Sequence, residues 1–162
     1  MIFNLNDLIS KLNHKRNLGG IIFGEAGIGK SLYINSFVER SNRDISYIDI
    51  QQLINDEKEY NIVFELDPES LIIWCLKLAE DRNAIAVIFD NFDVIVNLWN
   101  DDKINNFISR WVDVDFERSK FSYPKPLIAI MQTDKNLISA YSSYNSNSLT
   151  KINRFEDLEE LL

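Results

Sequence analysis

An eight-residue glycine segment near the start of the chain constrains its fold more than any other feature. Residues 24–31 read Gly-Glu-Ala-Gly-Ile-Gly-Lys-Ser, which matches the spacing G-x-x-x-x-G-K-[ST]. Glycines adopt backbone dihedral angles that other residues avoid, so successive N–H groups can point into one concave space. An apolar run at 21–23 precedes the segment, and a helix is predicted from about Lys30 to Arg40. We therefore expect a strand, an anion-binding turn and a helix, in that order.

Apolar runs alternate with helical patterns along the rest of the chain. Strands are predicted at 21–23, 45–50, 61–65, 84–89, 127–131 and 149–153. Helices are predicted at 4–14, 30–40, 67–82, 104–112 and 155–162, and a flexible loop at 134–148. This alternation predicts an α/β fold in which a parallel sheet is covered by helices on both faces, a three-layer α/β/α architecture. Residues 1–162 are expected to form a single domain.

Composition and charge exclude several classes of protein. Hydrophobic residues make up 46% of the chain, which is too many for a disordered protein. The formal net charge of −8 repels nucleic acids and anionic membranes, so DNA contact would need a local basic patch or a partner. Cys75 is the only cysteine, which excludes an intrachain disulfide and a cysteine zinc cluster. His14 is the only histidine, which excludes a Ser-His-Asp or Cys-His site unless it is the base. The start of the chain has no long apolar run, which predicts a cytoplasmic protein that does not enter the membrane.

The glycine segment predicts a phosphate loop for ATP and Mg²⁺. In that interpretation the Lys30 ammonium lies between the β- and γ-phosphates and the Ser31 hydroxyl is a magnesium ligand. The alternative is a glycine-rich turn in which the Lys-Ser pair occurs by chance. The residues expected to contact the nucleotide are Gly24, Glu25, Ala26, Gly27, Ile28, Gly29, Lys30, Ser31 and Leu32.

A second acidic position follows the apolar strand at 84–89. Asp90 ends that strand, where a carboxylate can hold the magnesium shell through water, although a strand-end Asp that begins a turn is the alternative. Asn91 stands where many ATPases carry a catalytic glutamate, which argues against the extended AAA family, and Asp93 is interpreted as a helix or turn cap. Neither D-x-x-G after the strand nor N-K-x-D occurs, so adenine is inferred as the base by elimination.

With these segments in order, the chain resembles the RecA-like recombinase family, most closely the archaeal RadA paralogues, RadB and the KaiC-like ATPases. The matching segments are NLNDLIS…LGGIIFGEAGIGKS, SYIDI, NIVFELDPESL, AVIFDNFDVI and IAIMQTD, which together span roughly residues 5–135. The resemblance implies a RecA-like, mostly parallel sheet.

The resemblance also implies catalytic roles for two glutamines. Gln51 occupies the position of the family's water-activating glutamate. Because an amide cannot accept a proton from water, hydrolysis is expected to be slow. The substitution Gln51→Glu is expected to raise turnover. Gln132 matches the glutamine that senses the γ-phosphate, the alternative being a polar residue at a strand exit. Substitute carboxylates would be Asp56, Glu57, Glu59 or Glu65.

In the family, two DNA-facing loops follow these strands. Residues 97–126 interleave basic and aromatic groups that could hold single-stranded DNA, whereas a solvated amphipathic helix is the alternative. Residues 134–154 form the second region, and its Lys151 and Arg154 could reach a neighbouring subunit's nucleotide. The implied function is that of an accessory factor in DNA recombination or repair, partnered by a recombinase or paralogue. The alternative is a regulatory KaiC-like or mobile-element ATPase that does not bind DNA.

Overall fold

A five-stranded sheet, parallel at every pairing, forms the centre of the protein. The computed structural model describes residues 3–13, 19–41, 44–56, 67–113, 125–143 and 148–158. The strands are β1 (Gly19–Gly24), β2 (Ile45–Asp49), β3 (Ala86–Asp90), β4 (Leu127–Gln132) and β5 (Leu149–Ile152). Their order across the sheet is β2-β3-β4-β1-β5. Since all the strands run in one direction, their carboxyl ends share one edge of the sheet.

The three central strands are apolar runs buried on both faces. Such continuous runs, without polar alternation, are typical of parallel strands covered on both sides. Successive side chains point to opposite faces. In β1, Ile21 and Phe23 therefore belong to one buried cluster and Ile22 to the other.

Helices cover both faces of the sheet. The helices of the described residues are α1 (Leu5–Asn13), α2 (Lys30–Arg40), α3 (Ile50–Asn55), α4 (Pro68–Glu80), α5 (Asp93–Val96), α6 (Asp101–Asp113) and α7 (Lys135–Ser143). Apolar side chains of α1 and α2 pack on the face that carries Ile22. Side chains of α3 to α7 pack on the face that carries Phe23. The α/β class, the parallel sheet and its covering by helices are thus confirmed.

Local side-chain bonds account for several element boundaries. The Asp67 side chain accepts a bond from Ser70 N and caps α4, as the sequence predicts. Asp49 likewise caps α3 by accepting from Gln51 N at 2.9 Å, so β2 ends one residue earlier than predicted. The strand predicted at 61–65 and the end of the helix predicted at 155–162 lie outside the described residues, and a 3₁₀ turn spans Phe155–Asp157.

The flexible loop predicted at 134–148 is wrong for most of its length. Residues 135–143 form α7, because the Asp134 side chain accepts from Asn136 N at 2.7 Å and Leu137 is completely buried. Ser and Asn are common in turns, so composition alone favoured a loop here. Tertiary burial of the helix overrides that preference.

Helix α6 packs closely on the amino-terminal end of β1. Trp111 Nε1 donates to Gly20 O at 2.8 Å, and the indole is fully buried. A Cβ atom at Gly19 would lie 1.8 Å from the Trp111 carbonyl oxygen, so this approach requires glycine. Helix α6 therefore anchors the start of β1, the end of the strand opposite residues 24–31.

Within the described ranges, no helix has both the length and the apolarity needed to cross a membrane.

Candidate functional site

The segment of residues 24–31, here called the glycine loop, joins the end of β1 to the start of α2. Gly27 and Gly29 have φ angles of 80° and 98°, in the left-handed region that favours glycine. Gly29 is the N-cap of α2 and provides no side-chain cap. The first N–H groups of this helix are thus left without a capping side chain, and they carry the partial positive charge of the helix N-terminus.

A cavity of about 220 Å³ opens beside the glycine loop at the carboxyl edge of the sheet. Its walls come from the loop and the first turn of α2, from the end of β3 and the residues after it, and from the end of β4. Since β4 lies between β1 and β3, its last residue, Gln132, faces the space between the loop and Asp90. The fold therefore brings three separate sequence segments to one site.

Lys30 is the cation of this cavity. The residue is only 7% exposed, and its Nζ donates to Gly24 O and Glu25 O, each at 2.8 Å. Burial lowers the pKa of Lys30, and the nearby charges of Asp93, Asp90 and Glu25 oppose that shift. The ammonium is thus held among loop carbonyls and next to carboxylates.

Asp90 is buried at the end of β3 and held from two directions. The Tyr47 hydroxyl donates to Asp90 Oδ2, and Asn91 N donates to Oδ1 at 2.7 Å. Burial, followed by the bond to Asp90, raises the pKa of the Tyr47 hydroxyl. Sequence reasoning missed Tyr47, because only the pairing of β2 with β3 brings the two side chains together.

Asp93 does not cap a helix through its side chain, contrary to the sequence interpretation. It lines the cavity, and its Oδ1 accepts from Gln132 N at 2.9 Å, which links the chain after β3 to the end of β4. The N-cap of α5 is Phe92, which makes no side-chain capping bond. Burial raises the pKa of Asp93, and its hydrogen bonds and Lys30 counteract that shift. The D-x-x-D spacing from Asp90 was the sequence signal that could have identified it.

Most of the residues predicted to bind nucleotide or metal line this one cavity. Those that do so are Ala26, Gly27, Gly29, Lys30, Ser31, Leu32, Asp90 and Gln132. Gly24, Glu25 and Ile28 belong to the glycine loop without lining the cavity, and Ile28 packs against the α1–α2 side.

Gln51 is not among the residues that line the cavity. It is exposed in the first turn of α3, where its backbone N–H donates to Asp49 Oδ1. Asn91 Nδ2 donates to the same Asp49 oxygen at 2.9 Å, so Asn91 connects this edge of the sheet to the cavity wall. Of the substitute carboxylates, Asp56 is exposed and does not line the cavity, and Glu57, Glu59 and Glu65 lie outside the described residues.

In the described part of region 97–126, several of the groups predicted to contact nucleic acid have partners within the protein. Trp111 is buried in the core, where its ring contacts Phe89, Phe92 and Phe107. Arg110 lies 3.7 Å from the Glu69 carboxylate and donates to Asn106 Oδ1. Arg118, Lys120 and the aromatic residues Phe116, Phe121 and Tyr123 lie outside the described residues. In the second region, Arg154 pairs with Asp157 at 3.6 Å.

Comparisons with known proteins assign no family to this chain. No protein-family model matches the sequence, and no curated protein matches it significantly. The function is therefore inferred from the residues and geometry of the cavity.

Proposed function

We propose that this chain is a P-loop ATPase domain that binds Mg²⁺ and ATP in the cavity beside the glycine loop and hydrolyses ATP slowly. The observation that supports this proposal most strongly is the convergence of Lys30, Ser31 and Asp90 on one cavity, although Asp90 is far from the other two in sequence. A glycine turn in which the Lys-Ser pair occurs by chance would not require both the lysine and the carboxylate on another strand to be buried beside the same cavity.

The phosphate groups of ATP fit the glycine loop by charge and shape. The two left-handed glycines and the uncapped first turn of α2 provide backbone N–H donors, and a helix N-terminus attracts anions. A Cβ at Gly27 would meet nothing within 4 Å, so the space beside the loop is open to a ligand. Lys30 supplies the cation for the phosphate oxygens.

Magnesium fits the oxygen donors that face the cavity. The Ser31 hydroxyl and the Asp90 carboxylate are hard oxygen ligands of the kind that Mg²⁺ prefers. Both oxygens of Asp90 already accept hydrogen bonds, which favours a contact with the ion through water. When bound, the ion would neutralise charge on the phosphates, and Ser31 and Asp90 would hold it.

Slow hydrolysis is proposed because amides occupy the two positions where many ATPases and the RecA-like family that the sequence resembles carry a catalytic glutamate. Asn91 follows Asp90 directly, and Gln51 lies at the start of α3. Neither side chain can accept a proton from water. An ATP-bound state that persists suits a switch or an accessory factor better than a motor.

The magnesium dependence of ATP binding tests this proposal. For Asp90→Asn we expect unchanged ATP affinity in the presence of EDTA, and about tenfold less enhancement of that affinity by Mg²⁺, because groups that orient metal-bound water typically contribute this much. Titration calorimetry with and without Mg²⁺ measures both quantities. Asp102→Asn, an exposed carboxylate on α6, is the matched control. Failure of the wild-type chain to bind ATP in either buffer would refute the proposed function.

The recombination and repair role, with single-stranded DNA and a recombinase as partners, remains a separate proposal. Because phosphate contacts release counterions, any DNA binding should weaken steeply with salt, and Arg110→Ala should weaken it further. Fluorescence anisotropy with a labelled single strand, with and without ATP, measures this, and Lys77→Ala on α4 is the control. No binding at low salt would favour the regulatory alternative.

A further inference from the structure

Hydrolysis of ATP needs a group that accepts a proton from the attacking water, and the cavity contains one candidate that sequence reasoning did not identify. Two carboxylates are among the described residues that line the cavity, Asp90 and Asp93. Asp90 already accepts hydrogen bonds from the Tyr47 hydroxyl and from Asn91 N, and the proposed function assigns it to magnesium. Asp93 is therefore the remaining carboxylate in the cavity wall that can accept a proton from the attacking water.

Other nearby carboxylates do not line the cavity. Glu25 is exposed, and its backbone carbonyl accepts from Lys30. Asp49 Oδ1 accepts hydrogen bonds from Gln51 N, Gln52 N and Asn91 Nδ2. This oxygen therefore caps α3 and links it to the chain after β3. Since neither side chain lines the cavity, both are set aside as the proton acceptor.

The position of Asp93 suits a group that acts on a bound phosphate. Its charge interacts with Lys30, which lies in the wall of the same cavity. One oxygen is fixed by Gln132 N at 2.9 Å, which orients the carboxylate without using all of its acceptor positions. Partial burial raises the pKa of Asp93, so this carboxylate takes up a proton more readily than an exposed one would.

We propose that Asp93 is the general base that supports the slow hydrolysis of this ATPase, from a position different from those of Asn91 and Gln51, whose amides cannot accept a proton. This inference rests on the proposed function. The water oxygen forms a bond to the γ-phosphorus while one of its protons passes to an Asp93 oxygen. The bond between the γ-phosphorus and the β–γ bridging oxygen breaks, and ADP leaves with the electron pair. Asp93 then releases the proton to phosphate or solvent, and nothing is oxidised or reduced.

Asp93→Asn separates this role from a structural one. Asparagine retains Oδ1 as an acceptor for Gln132 N, so the fold and the link to β4 are expected to survive, but the amide cannot accept the proton. We expect turnover to fall about 100-fold or more, the usual contribution of a general base. We expect the ATP affinity not to fall, because the substitution removes a negative charge beside the phosphates. We expect the thermal midpoint of unfolding to stay unchanged and the nucleotide recovered from the protein after incubation to remain ATP.

Three variants and two further readouts make the test decisive. Turnover under single-turnover conditions, ATP affinity by calorimetry and unfolding midpoints are measured for wild type, Asp93→Asn, Asp102→Asn and Gln51→Glu. Turnover lost in Asp93→Asn alone, with affinity and midpoint retained, supports the assignment. The assignment is overturned if Asp93→Asn hydrolyses ATP at the wild-type rate, if the wild type binds ATP without hydrolysing it, or if the loss of turnover follows a loss of affinity or stability.

The same measurements keep this inference apart from the proposed function. ATP binding by the wild type with turnover that does not depend on Asp93 would overturn the inference and leave nucleotide binding intact. Increased turnover in Gln51→Glu, with no effect of Asp93→Asn, would place water activation at the start of α3 instead. Absence of ATP binding by the wild type would overturn both.

Discussion

Lys30→Ala is expected to reduce the affinity for ATP by about 100-fold or more while the protein stays folded. The Lys30 ammonium is the buried cation of the cavity, and a hydrogen bond from a charged donor contributes about 1.5–3 kcal/mol, roughly one to two orders of magnitude in affinity per bond. Two such bonds to phosphate oxygens are proposed. Calorimetric titration with ATP and Mg²⁺ measures the loss, and circular dichroism checks that the fold is retained.

Lys77→Ala is the matched control for Lys30→Ala. Lys77 is exposed on α4, and its removal changes the net charge by the same amount. We expect its ATP affinity to equal that of the wild type. Equal affinities for all three proteins would mean that the glycine loop does not bind phosphate, which would remove the basis of the proposed function.

Trp111→Ala is expected to give the largest loss of stability, about 3–5 kcal/mol in the free energy of unfolding, as is usual when a buried Trp is replaced by Ala. The indole is fully buried, packs against Phe89, Phe92 and Phe107, and donates to Gly20 O. Denaturant unfolding measures the change. Trp111→Phe should cost less, because it retains a ring in this cluster and loses only the indole donor and some volume.

Leu98→Ala is the control for this prediction, since Leu98 is 60% exposed and exposed substitutions usually change stability by less than about 0.5 kcal/mol. Similar losses for Trp111→Ala and Leu98→Ala would contradict the anchoring of β1 by α6.

The sequence predicted the elements whose signals are local. The strand, glycine loop and α2 follow one another in the chain, and Asp67-Pro68 marks the start of α4, so these could be read directly. The prediction that Asp90 lies at a strand end likewise depended only on the apolar run directly before it. These predictions needed only the periodicity of apolar residues and the chemistry of caps and turns.

The remaining features depend on strand order, which a single sequence does not reveal. Tyr47 meets Asp90 because β2 pairs with β3, and Asp93 meets Gln132 because β3 pairs with β4. Composition made α7 look like a loop, since the burial of Leu137 that stabilises it is tertiary. Whether Gln51 and Gln132 have the catalytic roles implied by the resemblance remains a prediction.

If the cavity binds ATP as proposed, the insertion of β4 between β1 and β3 affects which nucleotides it would distinguish. Parallel neighbours lie about 4.8 Å apart, so the strand that leads into the glycine loop and the strand that ends in Asp90 are separated by roughly 10 Å. Under the proposed function, a phosphate chain anchored at the loop must extend across the end of β4 before it approaches the far wall. A monophosphate held at the loop would be too short to reach the far wall, whereas a triphosphate would span more of the gap. Under the proposed function, the order of the strands would therefore favour nucleotides with a longer phosphate chain, independently of the identity of the base.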